Sequence, residues 1–371
     1  MFQGQKITAI TFCGRKRYMD LLTPHIIREH DRGLLDKWLL FNNIRTNVED
    51  ATYAQQLKDH LPWSEVINRP PGASGEHAGH GADRFSWTWN TFGSREGEGT
   101  IYLKIDDDVI YFDENALPRL LQYRVEHREP FLVYPLIVNN VRTSYRLQRA
   151  GQCPREWGEV TNDMNDWTAH KSFKWVFNIH RATLATLAAG KPLTERWSLP
   201  TEQFTTFDQG HISTNVITIF GSDLVACANM PAGYGCRAGV PDDEESFFSL
   251  WRPRQLNRQN ARVGDSVFVH FAYNTQTDFM DHTGMLAEYA QFVAPMPFQV
   301  TQVAPPDTAS VPHHPKGQRT PPPPPQPRNM YPPGVEPPPE PPRRAHLPTG
   351  QHRGPTRYPG AGPRYPGGNK A

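Results

Sequence analysis

Thr100-Ile101-Tyr102-Leu103-Lys104-Ile105-Asp106-Asp107-Asp108-Val109-Ile110 is a β-branched and aromatic run that meets three consecutive carboxylates and turns apolar again. The part before the triplet reads as a buried strand. Alternation along that strand places Asp106 and Asp108 on one face near its C-terminal end. Open α/β sheets take their ligands at that edge. Two carboxylates this close repel each other unless a cation lies between them. Hard cations such as Mg²⁺ and Mn²⁺ take oxygen ligands and also bind substrate phosphates. The competing reading is a solvated acidic turn, since Asp is common where strands end. The apolar residues on both sides bury the stretch, which a solvated turn does not require, so a metal-bridged diphosphate is favoured.

Upstream, residues 6–12 form a strand that ends in the turn Cys13-Gly14-Arg15. Helical spacing follows over 17–30 through Tyr18, Leu21, Leu22 and Ile26. A second buried strand covers 37–41, a helix with Asn47 as its N-cap covers 48–60, and a short strand covers 64–68. This alternation predicts a parallel, doubly wound sheet. Residues 70–83 are a Gly/His/Pro loop in which His77 and His80 stand three apart, a weak metal spacing better read as solvated loop. An aromatic, helix-like stretch over 85–92 leads to Thr100. Downstream, 113–127 reads as a helix and 131–138 as a strand. Residues 139–200 are rich in Trp, Arg and Asn with weak periodicity. A strand over 211–220, a helix start at 241–245, a strand over 266–273 and a short helix over 283–293 complete the body.

A first strand ending in a Gly/Arg turn, an alternating α/β half, and a hydrophobic strand ending in D-x-D together resemble the GT-A-type nucleotide-sugar glycosyltransferases, over about residues 6–290. The resemblance implies an α/β fold with a doubly wound mixed sheet and flanking helices. It implies that Asp108 binds Mn²⁺ or Mg²⁺ on the donor diphosphate. Asp106 then contacts the ribose or the metal, and Asp107 is the variable middle position. In many such enzymes a late His completes the metal shell, and His270 in Val267-Phe268-Val269-His270-Phe271 fits that place. A lone His in an apolar strand is also a common core residue, and both readings stay open. Gly14, Arg15 and Lys16 are candidates to hold the nucleotide, although Arg15 and Lys16 can equally be solvated; Lys104 also lies near the donor edge.

Pro241-Asp242-Asp243-Glu244-Glu245 sets acids in the first turn of a helix, where the dipole favours negative charge. That alone explains them. In inverting members of the family, an acid at such a helix start deprotonates the acceptor hydroxyl. Asp243, then Glu244, with Asp242 third, are the candidates. A retaining enzyme needs no such base. Trp87, Trp89, Trp157, Trp167, Trp175 and Trp197 can supply sugar-stacking faces, with core packing the commoner use. The implied reaction is metal-dependent transfer from a nucleoside-diphosphate sugar, a UDP-sugar before a GDP-sugar, to a hydroxyl of a glycan or other acceptor. Two readings compete. One is another carboxylate–metal enzyme acting on phosphates, a nucleotidyltransferase or phosphohydrolase; Cys13-Gly14-Arg15-Lys16 is too poor in Gly for a nucleotidyltransferase phosphate loop. The other is a non-catalytic module acting through a Pro-rich tail.

That tail explains the composition. The chain has 371 residues, with 39 Lys+Arg against 38 Asp+Glu, a balance that argues against a dedicated nucleic-acid binder. Residues 301–371 hold 22 of the 37 prolines and 9 Lys+Arg against 3 Asp+Glu. The near-neutral total therefore hides a mildly acidic body, 1–300, and a basic tail that cannot bury enough apolar surface to order itself. Polyproline II suits residues 321–325, all proline, and Pro341-Pro342-Arg343-Arg344 suits an SH3- or WW-type partner. No segment is long enough to span a membrane and the N-terminus lacks a signal-peptide layout, so the chain reads as cytoplasmic. Cys13, Cys153, Cys227 and Cys236 lack zinc or redox spacings and read as ordinary thiols.

Overall fold

β1 (Lys6–Cys13) is buried from Ile7 to its end, and its alternate residues feed two cores. Ile7 and Ala9 join the cluster under the first helices, while Ile10 and Phe12 join the one on the opposite face. A strand buried on both faces needs helices or loops over each. The computed structural model describes residues 1–42, 48–68, 89, 99–162, 166–204, 212, 214–225 and 244–300. The loop 70–83 with His77 and His80, the stretch 85–92 apart from Trp89, the helix start at 241–243, Cys227, Cys236 and the tail 301–371 lie outside the described residues.

β1 leads into α1 (Lys16–Asp31), β2 (Lys37–Asn42), α2 (Val48–His60) and β3 (Ser64–Asn68). β2 pairs in parallel with both β1 and β3. The chain then crosses to the other side of β1, where β4 (Thr100–Ile105) also pairs in parallel. The strand order so reverses between β1 and β4, the switch point at which open α/β sheets place their ligands. After β5 (Val109–Phe112), α3 (Ala116–Glu126), β6 (Val133–Val138) and α4 (Val141–Arg149), the sheet stops being purely parallel. β7 (Glu202–Phe204), β8 (Val216–Phe220) and β9 (Asn260–His270) complete the order β3-β2-β1-β4-β8-β6-β9-β5, with β7 on β9. β8 runs against β4 and β6, β5 and β7 run against β9, and β6 and β9 are parallel. The expected mixed α/β sheet is thus present.

This topology brings the C-terminal ends of β1, β4, β6 and β9 and the start of β8 to one edge. Two irregularities fit it together. Pro135, which donates no hydrogen bond, stands where the β6–β9 register shifts. Opposite it, Gly264 lies so close to the Leu199 backbone that a Cβ would overlap its carbonyl oxygen. The weakly periodic middle contains α5 (Trp167–Lys171) and the sixteen-residue α6 (Phe173–Ala188). The buried face of α6 includes His180 and Thr183, which blur its apolar stripe. His180 Nε2 lies 2.8 Å from the Phe271 carbonyl and Thr183 accepts from Trp197 Nε1 at 3.1 Å, so both polar groups are satisfied in the core. Among the described residues, no helix is long and apolar enough to cross a membrane.

Candidate functional site

β4 ends at Ile105, and the amide of Val109 donates to the Asp106 carbonyl at 3.1 Å, closing a turn around the acidic triplet. Strand alternation therefore does not set the carboxylates, contrary to the expectation from the sequence. The turn sends them to two different cations. Arg15, between β1 and α1, binds Asp107 and lies 2.9 Å from Asp108 Oδ2. Lys104 Nζ lies 2.9 Å from Asp106 Oδ1. Asn215, just before β8, anchors Asp106 twice: its carbonyl accepts from the Asp106 amide at 2.8 Å and its Nδ2 donates to Asp106 Oδ2 at 3.2 Å.

Lys104 is 2% exposed. Alternation puts it on the Tyr102 face of β4, where its ammonium stands 5.3 Å from the centre of the Phe12 ring. A buried ammonium needs acceptors for its three protons. They are Asp106, Glu244 Oε2 at 3.1 Å and the Thr214 carbonyl at 2.8 Å. Trp89 Nε1 donates to Glu244 Oε1 at 3.0 Å. Lys104 thus joins the acidic turn to the acidic helix start across 140 residues of sequence. Burial lowers the affinity of Lys104 for its proton, and Asp106 and Glu244 more than restore it, so its pKa lies above the ordinary value. Burial, together with Asp106, raises Glu244 against the pull of Lys104.

On the other side, His270 closes β9. Its Nδ1 stands 3.0 Å from the Asn139 carbonyl, which only accepts, so Nδ1 carries the proton. Nε2 then faces Asp108 Oδ2 at 3.3 Å. Asn139 adopts a left-handed φ of 60°, which Asn tolerates better than most residues. Its Nδ2 donates to the Phe271 carbonyl and to Gln276, which fixes the turn after β6 against the end of β9. Burial pushes His270 down, but the Asp108 carboxylate and the Asn139 carbonyl outweigh it and the net direction is up. Burial pushes Asp108 up, but Arg15 and His270 hold it well below the usual carboxylate range. Asp107 is pushed up to about 6 by burial against Arg15, and Asp106 is also raised by burial and by the neighbouring Asp108 charge.

Asp108 Oδ1 is buried without a hydrogen-bond partner. An ionised oxygen in that state calls for a cation; carboxylate oxygens suit Mn²⁺ or Mg²⁺, and an imidazole nitrogen beside them suits a transition ion such as Mn²⁺ better than Mg²⁺. Among the described residues, no three His, Cys, Asp or Glu side chains converge as a ready metal cage. The side chains of Arg15 and Lys104 stand against the carboxylates.

The remaining expected residues separate. The amide of Lys16 donates to Asp50 at 2.7 Å, while its ammonium turns back to Asp20 at 2.8 Å, away from the triplet. A Cβ on Gly14 would meet Asp107 at an ordinary 3.8 Å, so space does not demand a glycine there. Asp243, with Asp242, lies outside the described residues. Glu244 has both oxygens engaged, by Lys104 and Trp89. Trp89, Trp175 and Trp197 are core residues, and Trp167 is 68% exposed. Cys13 and Cys153 are buried free thiols. The sequence reading missed the bridging role of Lys104 and the work of Asn139, Asn140 and Asn215. A lysine inside an otherwise apolar strand, two residues before a carboxylate, is the signal that could have found the first.

No family model matches the chain, and no curated protein matches it. Solved structures with a similar fold include a mannosyltransferase from Pyrobaculum calidifontis in complex with GDP-Man and Mn²⁺, at 11% identity and a TM-score of 0.37, covering 73% of this chain and 58% of that one. Another is glucosyl-3-phosphoglycerate synthase from Mycobacterium tuberculosis in complex with Mn²⁺, UDP and phosphoglyceric acid, at 17% identity and a TM-score of 0.27, covering 36% of this chain and 44% of that one. A third is 4-diphosphocytidyl-2C-methyl-D-erythritol synthase from Anaerococcus prevotii, at 9% identity and a TM-score of 0.37, covering 77% of this chain and 99% of that one. The chain thus spans less than two thirds of the length of the first two.

Proposed function

We propose that this chain is a metal-dependent glycosyltransferase that moves a sugar, with inversion, from a nucleoside-diphosphate sugar to an acceptor hydroxyl, a UDP-sugar being the donor. The observation that carries this reading is the buried acidic turn at the β1/β4 switch point, with Asp108 in contact with His270 and one Asp108 oxygen unpartnered. Asp108 and His270, with Asp106, are the residues that would hold Mn²⁺ or Mg²⁺. When bound, the metal supplies Lewis-acid neutralisation of the charge that develops on the departing nucleoside diphosphate.

The chain's own residues do the rest. Arg15, one third exposed at the mouth of the site, binds the donor phosphates; its forked guanidinium suits paired oxygens. Lys104 keeps Asp106 ionised and holds Glu244 at a fixed distance from it, so that acidic turn and acidic helix start face one space. Since Glu244 is engaged on both oxygens, the acceptor proton goes to Asp243. Asn139 keeps the proton of His270 on Nδ1 and so leaves Nε2 toward Asp108.

Calorimetric titration of UDP and GDP into the full chain, with and without Mn²⁺, tests the reading. UDP binds only with metal, and Asp108→Asn weakens it at least about tenfold, the scale of one lost charged contact. Absence of nucleotide binding in every condition removes the proposal.

A further inference from the structure

A second polar cluster lies between α4 and the faces of β6 and β9. Its polar lining is Tyr134, Asn140, Arg142, Thr143, Arg146 and Arg262, beside the apolar Ile137 and Ile212. Three guanidiniums line it, and among the described residues one carboxylate serves two of them. Glu202 Oε1 accepts from Arg146 at 3.0 Å and from Arg262 at 2.9 Å. Arg142 is held by the carbonyl and the side-chain oxygen of Asn162. Arg262 is 2% exposed, and its Nε has no hydrogen-bond partner. A buried guanidinium that shares one carboxylate oxygen with a second arginine lacks the counter-charge its burial demands. The desolvated Arg262 accordingly has a pKa below the ordinary value.

The cleft is coupled to the acidic turn. Asn140, on its wall, caps α4: its Oδ1 accepts from the amides of Arg142 and Thr143 at 3.1 and 3.2 Å. The same side chain reaches Asn215 through Nδ2 at 3.4 Å, and Asn215 holds Asp106. With two amides of the first turn already capped, the guanidiniums of Arg146 and Arg262 are the groups that would bind a ligand. The enclosed centre, about 10 Å³, takes a single water. A larger guest needs the side chains to part, and Glu202, bound to both Arg146 and Arg262, is the group that competes with it for them. Glu202 and Arg146 are each about one third exposed, so they can part without opening the core.

We infer that this cleft is an oxyanion site, in which Arg146 and Arg262 exchange Glu202 for the phosphate or carboxylate of a ligand. Together with the glycosyl-transfer reading, on which this part rests, it makes the acceptor an anionic molecule. Its acid group docks at α4 while its hydroxyl faces the acidic turn. Paired oxygens on a forked donor are the geometry for which arginine is suited.

The test is calorimetric titration of inorganic phosphate, and separately of malonate, into the full chain with a chelator present. One of the two binds, and which one separates a phosphate-bearing from a carboxylate-bearing acceptor. Arg146→Gln weakens that binding at least about tenfold. Glu202→Gln strengthens it severalfold, because the internal competitor is gone, and a variant that merely misfolds cannot produce this gain. Asp108→Asn leaves it unchanged. Absence of binding by both ions overturns the inference, as does an affinity indifferent to Arg146 and Glu202, or one governed by Asp108, which would put the ion at Arg15. Metal-dependent UDP binding is read on the same protein. If it is absent while phosphate or malonate still binds, glycosyl transfer falls and the oxyanion site stands. If it is present while neither ion binds, the reverse holds.

Discussion

The acidic turn and the arginine cleft flank the Asn140–Asn215 pair, and they bury charge of opposite sign in opposite ways. At the turn, two cations are shared among four carboxylates: Arg15 between Asp107 and Asp108, Lys104 between Asp106 and Glu244. In the cleft, one carboxylate oxygen is shared between two guanidiniums, with a third nearby. Among the described residues, the surplus is negative in the first and, between Arg146 and Arg262, positive in the second. What remains uncompensated differs too: a carboxylate oxygen, Asp108 Oδ1, against a guanidinium nitrogen, Arg262 Nε. A buried surplus of either sign is costly unless a ligand of the other sign completes it. The two sites are therefore complementary to a cation and an anion. A negatively charged substrate that must also meet a metal presents that pair of demands.

Of the residues at the turn, Lys104 is the one whose loss costs most. Lys104→Met leaves Asp106 and Glu244 buried without their shared cation, the situation in which breaking a buried pair costs about 3–5 kcal/mol. Urea unfolding of the full chain reads that loss. Adding Glu244→Leu to Lys104→Met removes one of the stranded carboxylates and recovers part of it. A single variant as stable as the wild type breaks the comparison, because the turn would then not depend on its internal cation.

A third region shows the alternative that neither cluster takes, which is to give up the charge. His25 on α1 is buried against Phe112, with ring centres 4.7 Å apart, and edge-on to Tyr111 at 5.1 Å. Burial, then the nearby Arg28, lowers its pKa from 6.5 to about 3. The folded protein thus holds His25 neutral where the unfolded chain takes up a proton. Stability from this group is complete above pH 6.5 and falls as pH drops toward 3, by up to about 1.4 kcal/mol per unit. His25→Phe flattens the stability profile between pH 6.5 and 4 by that slope. A profile identical to the wild type's would mean that the ring protonates inside the fold.

Much of this architecture can be read in the chain and part of it cannot, for reasons visible in individual residues. Strands β1, β2 and β4 and helices α1 and α2 each carry a largely apolar buried pattern, and the sequence marks them, with β3, nearly to the residue. Helix α6 does not show in the sequence because His180, Thr183 and Thr186 interrupt the apolar pattern of its buried face, and His180 is satisfied only by Phe271 and Tyr289, distant in sequence. β9 begins earlier than its apolar run suggests, because Arg262 and Gly264 stand inside it; both fit only where Glu202 and Leu199 come alongside. In the site, the acidic triplet and His270 announce themselves by type. What they touch does not follow from type, because strand alternation stops at Ile105. Lys104 read as a cation for the donor, and only tertiary contacts reveal that Asp106, Glu244 and Thr214 already claim its protons. Three asparagines at strand ends look like ordinary turn residues until their side chains are traced.

The smallest effect is the sharpest discriminator, because it sets two buried cations against each other. Lys104 and Arg262 are equally inaccessible, each 2% exposed. Burial alone would make them equally important to stability. Charge balance says otherwise. Arginine cannot follow His25 and shed its proton at physiological pH, so Arg262 retains a charge that half of one carboxylate does not match. Its removal sacrifices the 2.9 Å contact to Glu202 and the long 3.4 Å contact to the Pro200 carbonyl. It also relieves the desolvation of the guanidinium and its repulsion by Arg146, which keeps its own contact to Glu202. Replacing an imperfectly compensated buried ion by an apolar side chain of similar length is often neutral. Arg262→Met is therefore expected to change the unfolding free energy by less than about 1 kcal/mol, against the several lost in Lys104→Met, under the same urea titration. Retained stability together with weakened phosphate or malonate binding would mark Arg262 as a residue kept for its ligand. A loss as large as that of Lys104→Met would instead make the cleft a structural ion network, and the asymmetry between the two clusters would disappear.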